Sequence, residues 1–325
     1  MRKLSKTSSQ IDGQPMFKLL DKIKKLESNG KDIIHFEIGD PDFDTPKNIS
    51  DATINALKNG QTHYVSSFGL AELRQKICES IEKSRGFKPE LEQVLVTPGA
   101  NIVIFYAVSC LVDPGEEIIF PDPGFPTYSA AVKMCNASPV RIPLLESNEF
   151  RMNPDDIEKS ITKKTKMVII NSPQNPTGSV MTKDEIKTTY EIAEKHDLFL
   201  YSDEIYSKLI YDNNKYSSPS IFDKCKERTI LADGFSKAYA MTGWRLGSVV
   251  GPSDIIEKMQ LLLETTSSCV SPFIQKAGIE AIDGDQTFHK YMHSEYRKEE
   301  ILLCVSLIQL KVLIVLCPVV HSMFL

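Results

Sequence analysis

An α/β fold built on a mostly parallel sheet is the prediction, and three observations carry it. Short apolar or β-branched runs at 93–97, 117–120, 167–170, 198–201, 229–232 and 247–250 alternate with helical stretches, the rhythm of βαβ units. The residues with chemistry to offer lie in the turns just after those runs, at the edge where parallel sheets place their sites. The chain has 325 residues and 42% hydrophobic content, enough for a full core in one large domain with a smaller one attached.

Bulk properties exclude several classes. A net charge of −5 with both signs interspersed presents no basic face to nucleic acid. The cysteines (Cys78, Cys110, Cys135, Cys225, Cys269, Cys304, Cys317) are scattered and never spaced C-x-x-C, so they form neither a zinc site nor a disulfide framework and read as reduced thiols of a cytoplasmic protein. The basic N-terminus is followed by no apolar core and is not a secretory signal.

Taken in order, residues 15–29 place Phe17, Leu19, Leu20, Ile23 and Leu26 at helical spacing and stop at Gly30, an arm helix. Residues 33–38 predict a short strand that enters a loop through Gly39, where the absent side chain admits a ligand or serves a turn. Thr45 and Pro46 open a helix that ends near 59–60, and 62–74 form a loop entering the next helix. Strand 93–97 then passes through Gly99, Ala100 and Asn101 into an apolar helix at 102–110. Such a turn offers unpaired N–H groups and a positive helix end to a phosphate.

Strand 117–120 leads into a stiff loop, 121–128, whose Phe125 fits either a ring stack or the core. Strand 167–170, loop 171–178, helix 183–196 and strand 198–201 repeat the pattern, with Asn175 in an Asn-Pro-Thr-Gly turn. Asp203 directly follows a buried strand, where a carboxylate is costly without a cationic partner, although an N-cap would also explain it. Tyr206 follows three residues later. After strand 229–232 comes Lys237, flanked by Ser236 and followed at eight residues by Arg245. Its amine can form an imine with an aldehyde cofactor while the hydroxyl and planar guanidinium hold a phosphate; alone, the same pattern describes a surface lysine at a strand end. Strand 247–250 and helices 253–263 and 271–282 complete the regular part.

Together these motifs, from about Gly13 to Lys298, resemble the class I/II aminotransferases, the fold-type-I enzymes of pyridoxal 5'-phosphate, in their aspartate and aromatic branch. The resemblance implies a three-layer large domain over 46–282 around a mostly parallel seven-stranded sheet, an arm and part of a small domain over 1–45, and an incomplete small domain from 283 to 325. It implies amino-group transfer between an L-amino acid of aspartate or aromatic type and a 2-oxo acid, with Lys237 as the catalytic residue. It assigns the cofactor phosphate to Gly99, Ala100, Asn101, Ser236 and Arg245, the ring face to Phe125, the ring hydroxyl to Asn175 and Tyr206, and the ring nitrogen to Asp203.

Tyr64 would reach the cofactor phosphate of the other subunit, so a homodimer is implied, and Gly39, Phe125 and Asn175 would meet substrate. No metal, nucleic acid or membrane is involved. Two departures stand out: Asn101, where that turn commonly carries a hydroxyl or a lysine, and Gly234, where a phosphate-binding serine is common. The same cofactor residues would serve a fold-type-I lyase or synthase.

The tail reads differently. From 299 to 325 the sequence has neither helical amphipathicity nor turn signals. Residues 301–320 approach the length of a membrane span, but Lys311 falls at the centre, where a charge costs roughly 2.5–3.5 kcal/mol. A frame slip after Lys298 fits better, because codons for 299–301, 307–314 and 319–324 can, in the neighbouring frame, spell family-like segments. On that reading the arginine that grips the substrate α-carboxylate is missing, and the chain would bind cofactor with little or no turnover.

Overall fold

The computed structural model describes residues 3–5, 7–10, 13–211 and 215–309. Helices α1 (Pro15–Glu27), α2 (Lys47–Lys58) and α3 (Ala71–Arg85) precede the first strand, β1 (Val94–Thr97). There follow α4 (Val103–Leu111), β2 (Glu117–Asp122), α5 (Pro126–Met134), β3 (Ser138–Pro143), α6 (Pro154–Lys159), β4 (Thr165–Asn171), α7 (Lys183–Lys195) and β5 (Phe199–Asp203). Then come α8 (Ser220–Asp223), β6 (Thr229–Gly234), β7 (Gly247–Val250), α9 (Ser253–Ser267), α10 (Pro272–Asp283) and α11 (Thr287–Gln309). The predicted α/β class holds.

The strands form one seven-stranded sheet in the order β1-β7-β6-β5-β4-β2-β3. Pairs from β6 through β3 are parallel, whereas β7 runs antiparallel to both β6 and β1. Alternation along the strands divides the core. Met167 and Ile169 of β4 pack with Leu95, Val249 and helices α4, α5 and α9, while Val168 and Ile170 pack with α6 and α7 on the opposite face. Val94, Val96 and Val250 meet α3 and α10. Helices thus cover both faces in three layers, each fully buried Ile or Leu contributing about 1.5–3 kcal/mol relative to exposure.

The parallel order gathers the carboxyl ends of β1, β2, β4, β5 and β6 at one edge. Because β7 is antiparallel, its start lies at that same edge, with Gly247 opposite both Thr97 and Gly234. Local chemistry sets the element ends. Thr182 and Glu185 form a capping box at the start of α7, and Gly86, at φ 78°, ends α3 in the left-handed conformation.

Several expectations need correction. Residues 33–38 form no strand and bend at Glu37, and Ile34 and Phe36 lie exposed at 80% and 65%; the alternating pattern is there, but no strand pairs with it among the described residues. Helix α11 continues past Lys298 to Gln309, although 299–309 lacks an amphipathic pattern. Extending an existing helix requires no new nucleus, so the segment can remain helical with Ile301, Leu302 and Val305 facing solvent. Cys78, Cys110, Cys135, Cys225 and Cys269 are free, but Cys304 is disulfide-bonded, against the reading of every cysteine as a reduced thiol. Most of the stretch weighed as a membrane span, and residues 310–325 of the frame-slip reading, lie outside the described residues. No helix among the described residues is long and apolar enough to cross a membrane.

Candidate active site

At the carboxyl edge, β1 ends in a turn that only glycine makes easily. Gly99 has φ 88° and ψ 157°, and a Cβ there would lie 2.4 Å from Arg245 Nη2, so the guanidinium packs directly on the turn. Gly247 performs the same service from below: its Cβ would lie 2.4 Å from the Ala100 nitrogen. Ala100 and Asn101 then enter α4, where the first N–H groups of a helix have no intrahelical partner. Asn101 Oδ1 is buried without a hydrogen-bond partner, an unused acceptor at the turn. The backbone N–H groups and Arg245 together suit an anion.

The loops after β2 and β4 are stitched together. Gln174 Nε2 donates to the Pro123 carbonyl at 2.8 Å, and Asn171 Oδ1 accepts the Asn175 N–H at 2.8 Å. Asn171 also donates to the Asp203 carbonyl at 3.1 Å, which couples the Asn175 loop to the end of β5. Asn175 Nδ2 in turn reaches the Tyr206 hydroxyl at 3.3 Å. The predicted pairing of Asn175 with Tyr206 is therefore present.

Asp203 is the last residue of β5, its carboxylate crowded by protein with part of its surface left open. The Tyr128 hydroxyl donates to Oδ2 at 2.7 Å and the Ile205 N–H approaches Oδ1 at 3.3 Å. Burial pushes its pKa up to about 6, against those two hydrogen bonds and with help from the charges of Asp233 and Glu204. No helix follows Asp203, so the N-cap alternative falls away. What remains is a carboxylate that no described cation pairs with.

Lys237 follows the end of β6, and its Nζ donates to the Gly39 carbonyl. Burial lowers its pKa, and the charge of Arg245 acts the same way, with Asp40 opposing; a larger fraction of its amine is neutral. The Gly39 loop is held over this segment from its far side. Thr45 Oγ1 donates to the Ala240 carbonyl at 2.5 Å and accepts from Trp244 Nε1 at 2.9 Å. Ser236 stands beside Lys237, and Phe125 meets Tyr128 edge to face at 5.9 Å.

Gly39, Gly99, Ala100, Asn101, Phe125, Asn175, Asp203, Tyr206, Ser236, Lys237 and Arg245 thus lie in the loops and strand ends along one edge. Tyr64 is elsewhere: it sits in the loop between α2 and α3, exposed at 85% and outside this cluster within its own chain. Two contributors were missed by sequence reasoning. Tyr128, three residues past Phe125 in the first turn of α5, could have been suspected from that spacing, whereas the clamp role of Asn171 had no local signal.

Comparison with known proteins covers nearly the whole chain. The family model described as aminotransferase class I and II matches residues 31–316 and so extends beyond Lys298, where the motif resemblance stops. The chain is 42% identical over 279 residues to an aspartate aminotransferase of Pyrococcus abyssi, covering 86% of this chain and 71% of that protein. It is 37% identical to aromatic-amino-acid aminotransferase 2 of Thermococcus litoralis, covering 92% and 77%. Among solved structures, aspartate aminotransferase from Thermus thermophilus with maleate superposes with a TM-score of 0.95 at 30% identity, covering 99% of this chain and 84% of that one.

Proposed function

From the premise that the chain belongs to the class I and II aminotransferases, we propose that it moves an amino group between an L-amino acid of aspartate or aromatic type and a 2-oxo acid, using pyridoxal 5'-phosphate. The observation that carries the cofactor assignment is Asp203, a crowded carboxylate with no cation of its own. A protonated pyridine nitrogen is the partner such a group lacks.

The other residues fit the same cofactor. The Gly99–Asn101 turn, Ser236 and Arg245 would hold the phosphate, Arg245 as a charged donor and the turn through backbone N–H groups. Phe125 would cover the ring, and Asn175 with Tyr206 would take the ring hydroxyl. When bound, the cofactor supplies an aldehyde that accepts the amino group and a ring that withdraws electrons from the carbon whose C–H bond breaks.

Lys237 would anchor the cofactor, and its neutral amine would be the base that takes the substrate Cα proton and delivers it to the cofactor's aldehyde carbon, across the intervening nitrogen. Its lowered pKa favours that base form. Asp203 would keep a proton on the ring nitrogen, and the Gly39 carbonyl accepts from the lysine amine. The exposure of Tyr64 supports a homodimer in which it serves the neighbouring site. The test is reconstitution with pyridoxal phosphate, borohydride reduction and peptide mapping, together with an assay of amino-acid and 2-oxo-acid exchange. A label on Lys237 and measurable exchange are expected; a label on another lysine would overturn the assignment.

A further inference from the structure

Behind Asp203 lies a second group of charges that the proposed chemistry does not touch. Glu204, the next residue, is 0% exposed, and Arg85 at the end of α3 is 4% exposed. Arg85 Nε and Nη2 both reach Glu204 Oε2, at 2.9 and 2.5 Å, while Ser202 and Ser218 donate to Oε1 at 2.9 and 2.5 Å. The Glu204 N–H continues the ladder by donating to the Ala232 carbonyl at 2.9 Å. Tyr216 lies against the guanidinium, 5.6 Å from ring centroid to Cζ.

Ion pairs buried this completely add little stability compared with apolar residues of the same size, so stability alone does not account for this one. Its position suggests what does. Asp203 and Glu204 are consecutive at a strand end, one turned to the ligand edge and one to Arg85. On β6, burial raises the pKa of Asp233 against the charges of Lys208 and Arg85, and a cavity of about 20 Å³, room for one water, joins Arg85, Lys208, Asp233, Ser80 and Ser248. Glu204 is thus paired with Arg85, whereas Asp203 has no ion-pair partner among the described residues, and the charges of both Asp233 and Glu204 push its pKa up. The remaining ionisable groups facing it, Tyr128 from α5 and Tyr201 on its own strand, are neutral phenols.

Resting on the reading of Asp203 as the holder of the ring nitrogen, we infer that Arg85 is a positioning residue that keeps Asp203 ionised by neutralising Glu204 and fixing the end of β5. Without Arg85 the Glu204 charge would act on Asp203 unopposed and favour its protonated, inert form.

The inference is tested on the full chain without cofactor, so that failure of the enzymatic reading and failure of this one are separable. Carboxyl-labelled aspartate is followed by carbon NMR through a pH titration, with D203N identifying the Asp203 signal. R85M should move the Asp203 titration to higher pH and E204Q to lower pH, each by about one unit, and R85M/E204Q should return it close to the parent. Should R85M fail to fold, E204Q and the double variant still decide. Shifts of opposite sign with mutual cancellation support the inference. Titration unmoved by E204Q, or moved upward by it, would overturn it, because Glu204 would then not be the charge that Arg85 offsets at Asp203.

Discussion

Replacing Asp203 with asparagine should make the cofactor-free protein more stable at neutral pH, although it removes a residue central to the proposed site. Burial lifts the carboxyl from 3.8 in the unfolded chain to about 6 in the folded one. The folded state therefore binds the proton more readily, and this group's contribution falls as pH rises from about 3.8 to about 6, then stays flat. A shift of about two units corresponds to about 3 kcal/mol of destabilisation at pH 7. Asparagine avoids that cost and can still accept from the Tyr128 hydroxyl, but it loses about 1 kcal/mol if its amide replaces the acceptor facing the Ile205 N–H. The net expectation is a gain of about 2 kcal/mol above pH 7, disappearing below pH 4. Urea unfolding of both proteins between pH 3.5 and pH 8, without cofactor, measures it. An Asp203→Asn protein less stable than the parent at pH 8 would mean that the carboxylate already has a favourable partner, and the case for a ring-nitrogen site would collapse.

Three further outcomes follow from the same geometry. Lys237→Ala should abolish borohydride-fixed label and lower amino-group exchange by at least about 10²–10⁴-fold, the range for loss of a general base; exchange within tenfold of the parent would remove the lysine from the chemistry. Gly99→Ala forces a Cβ to 2.4 Å from Arg245 Nη2 at a backbone conformation other residues avoid, so it should cost about 1–3 kcal/mol in denaturant melts and weaken cofactor binding; unchanged binding by fluorescence titration would place the phosphate elsewhere. Arg245→Lys keeps the charge but not the fork, and should weaken pyridoxal phosphate about tenfold, with a smaller loss for the dephosphorylated cofactor. Equal losses for both would show that Arg245 does not meet the phosphate.

The sequence was most legible where one residue type answers one physical demand. A carboxylate at the end of a buried strand, a glycine where strand meets helix and a lysine after another strand could each be found locally, and β7 was read to the residue at Gly247–Val250. Strand β3 was missed because it is an edge strand with Pro139 and Pro143 at its ends and alternating exposure, so no apolar run marks it. The opposite error at 33–38 has the related cause that alternation licenses a strand only where another strand accepts its hydrogen bonds. Long-range partners left no local trace. Tyr128 and Asp203 are 75 residues apart and Arg85 and Glu204 are 119 apart, and only the folding of the sheet brings them together.

Gly234 shows how a departure that looks like a loss in sequence acquires a different meaning in space. Read alone, it removes a hydroxyl that the phosphate would have used. In the structure its Cβ would lie 2.9 Å from Ile205 Cδ1 and 3.2 Å from the Ala100 Cβ, so a side chain there competes with the turn itself. Gly234 pairs with Gly247 in the ladder, and Gly247 is the residue whose own Cβ would strike the Ala100 backbone. The two glycines and the small Ala100 are therefore one packing solution, which seats the turn directly on the strand ends. The donors that this solution retains are backbone N–H groups and the Arg245 guanidinium, the latter tethered by its Nη1 donating to the Thr242 carbonyl at 2.8 Å. A serine introduced at 234 alone would have to shift the end of the Ile205 side chain and press on the Ala100 Cβ, so its effect would fall on the turn that Gly99 and Ala100 form.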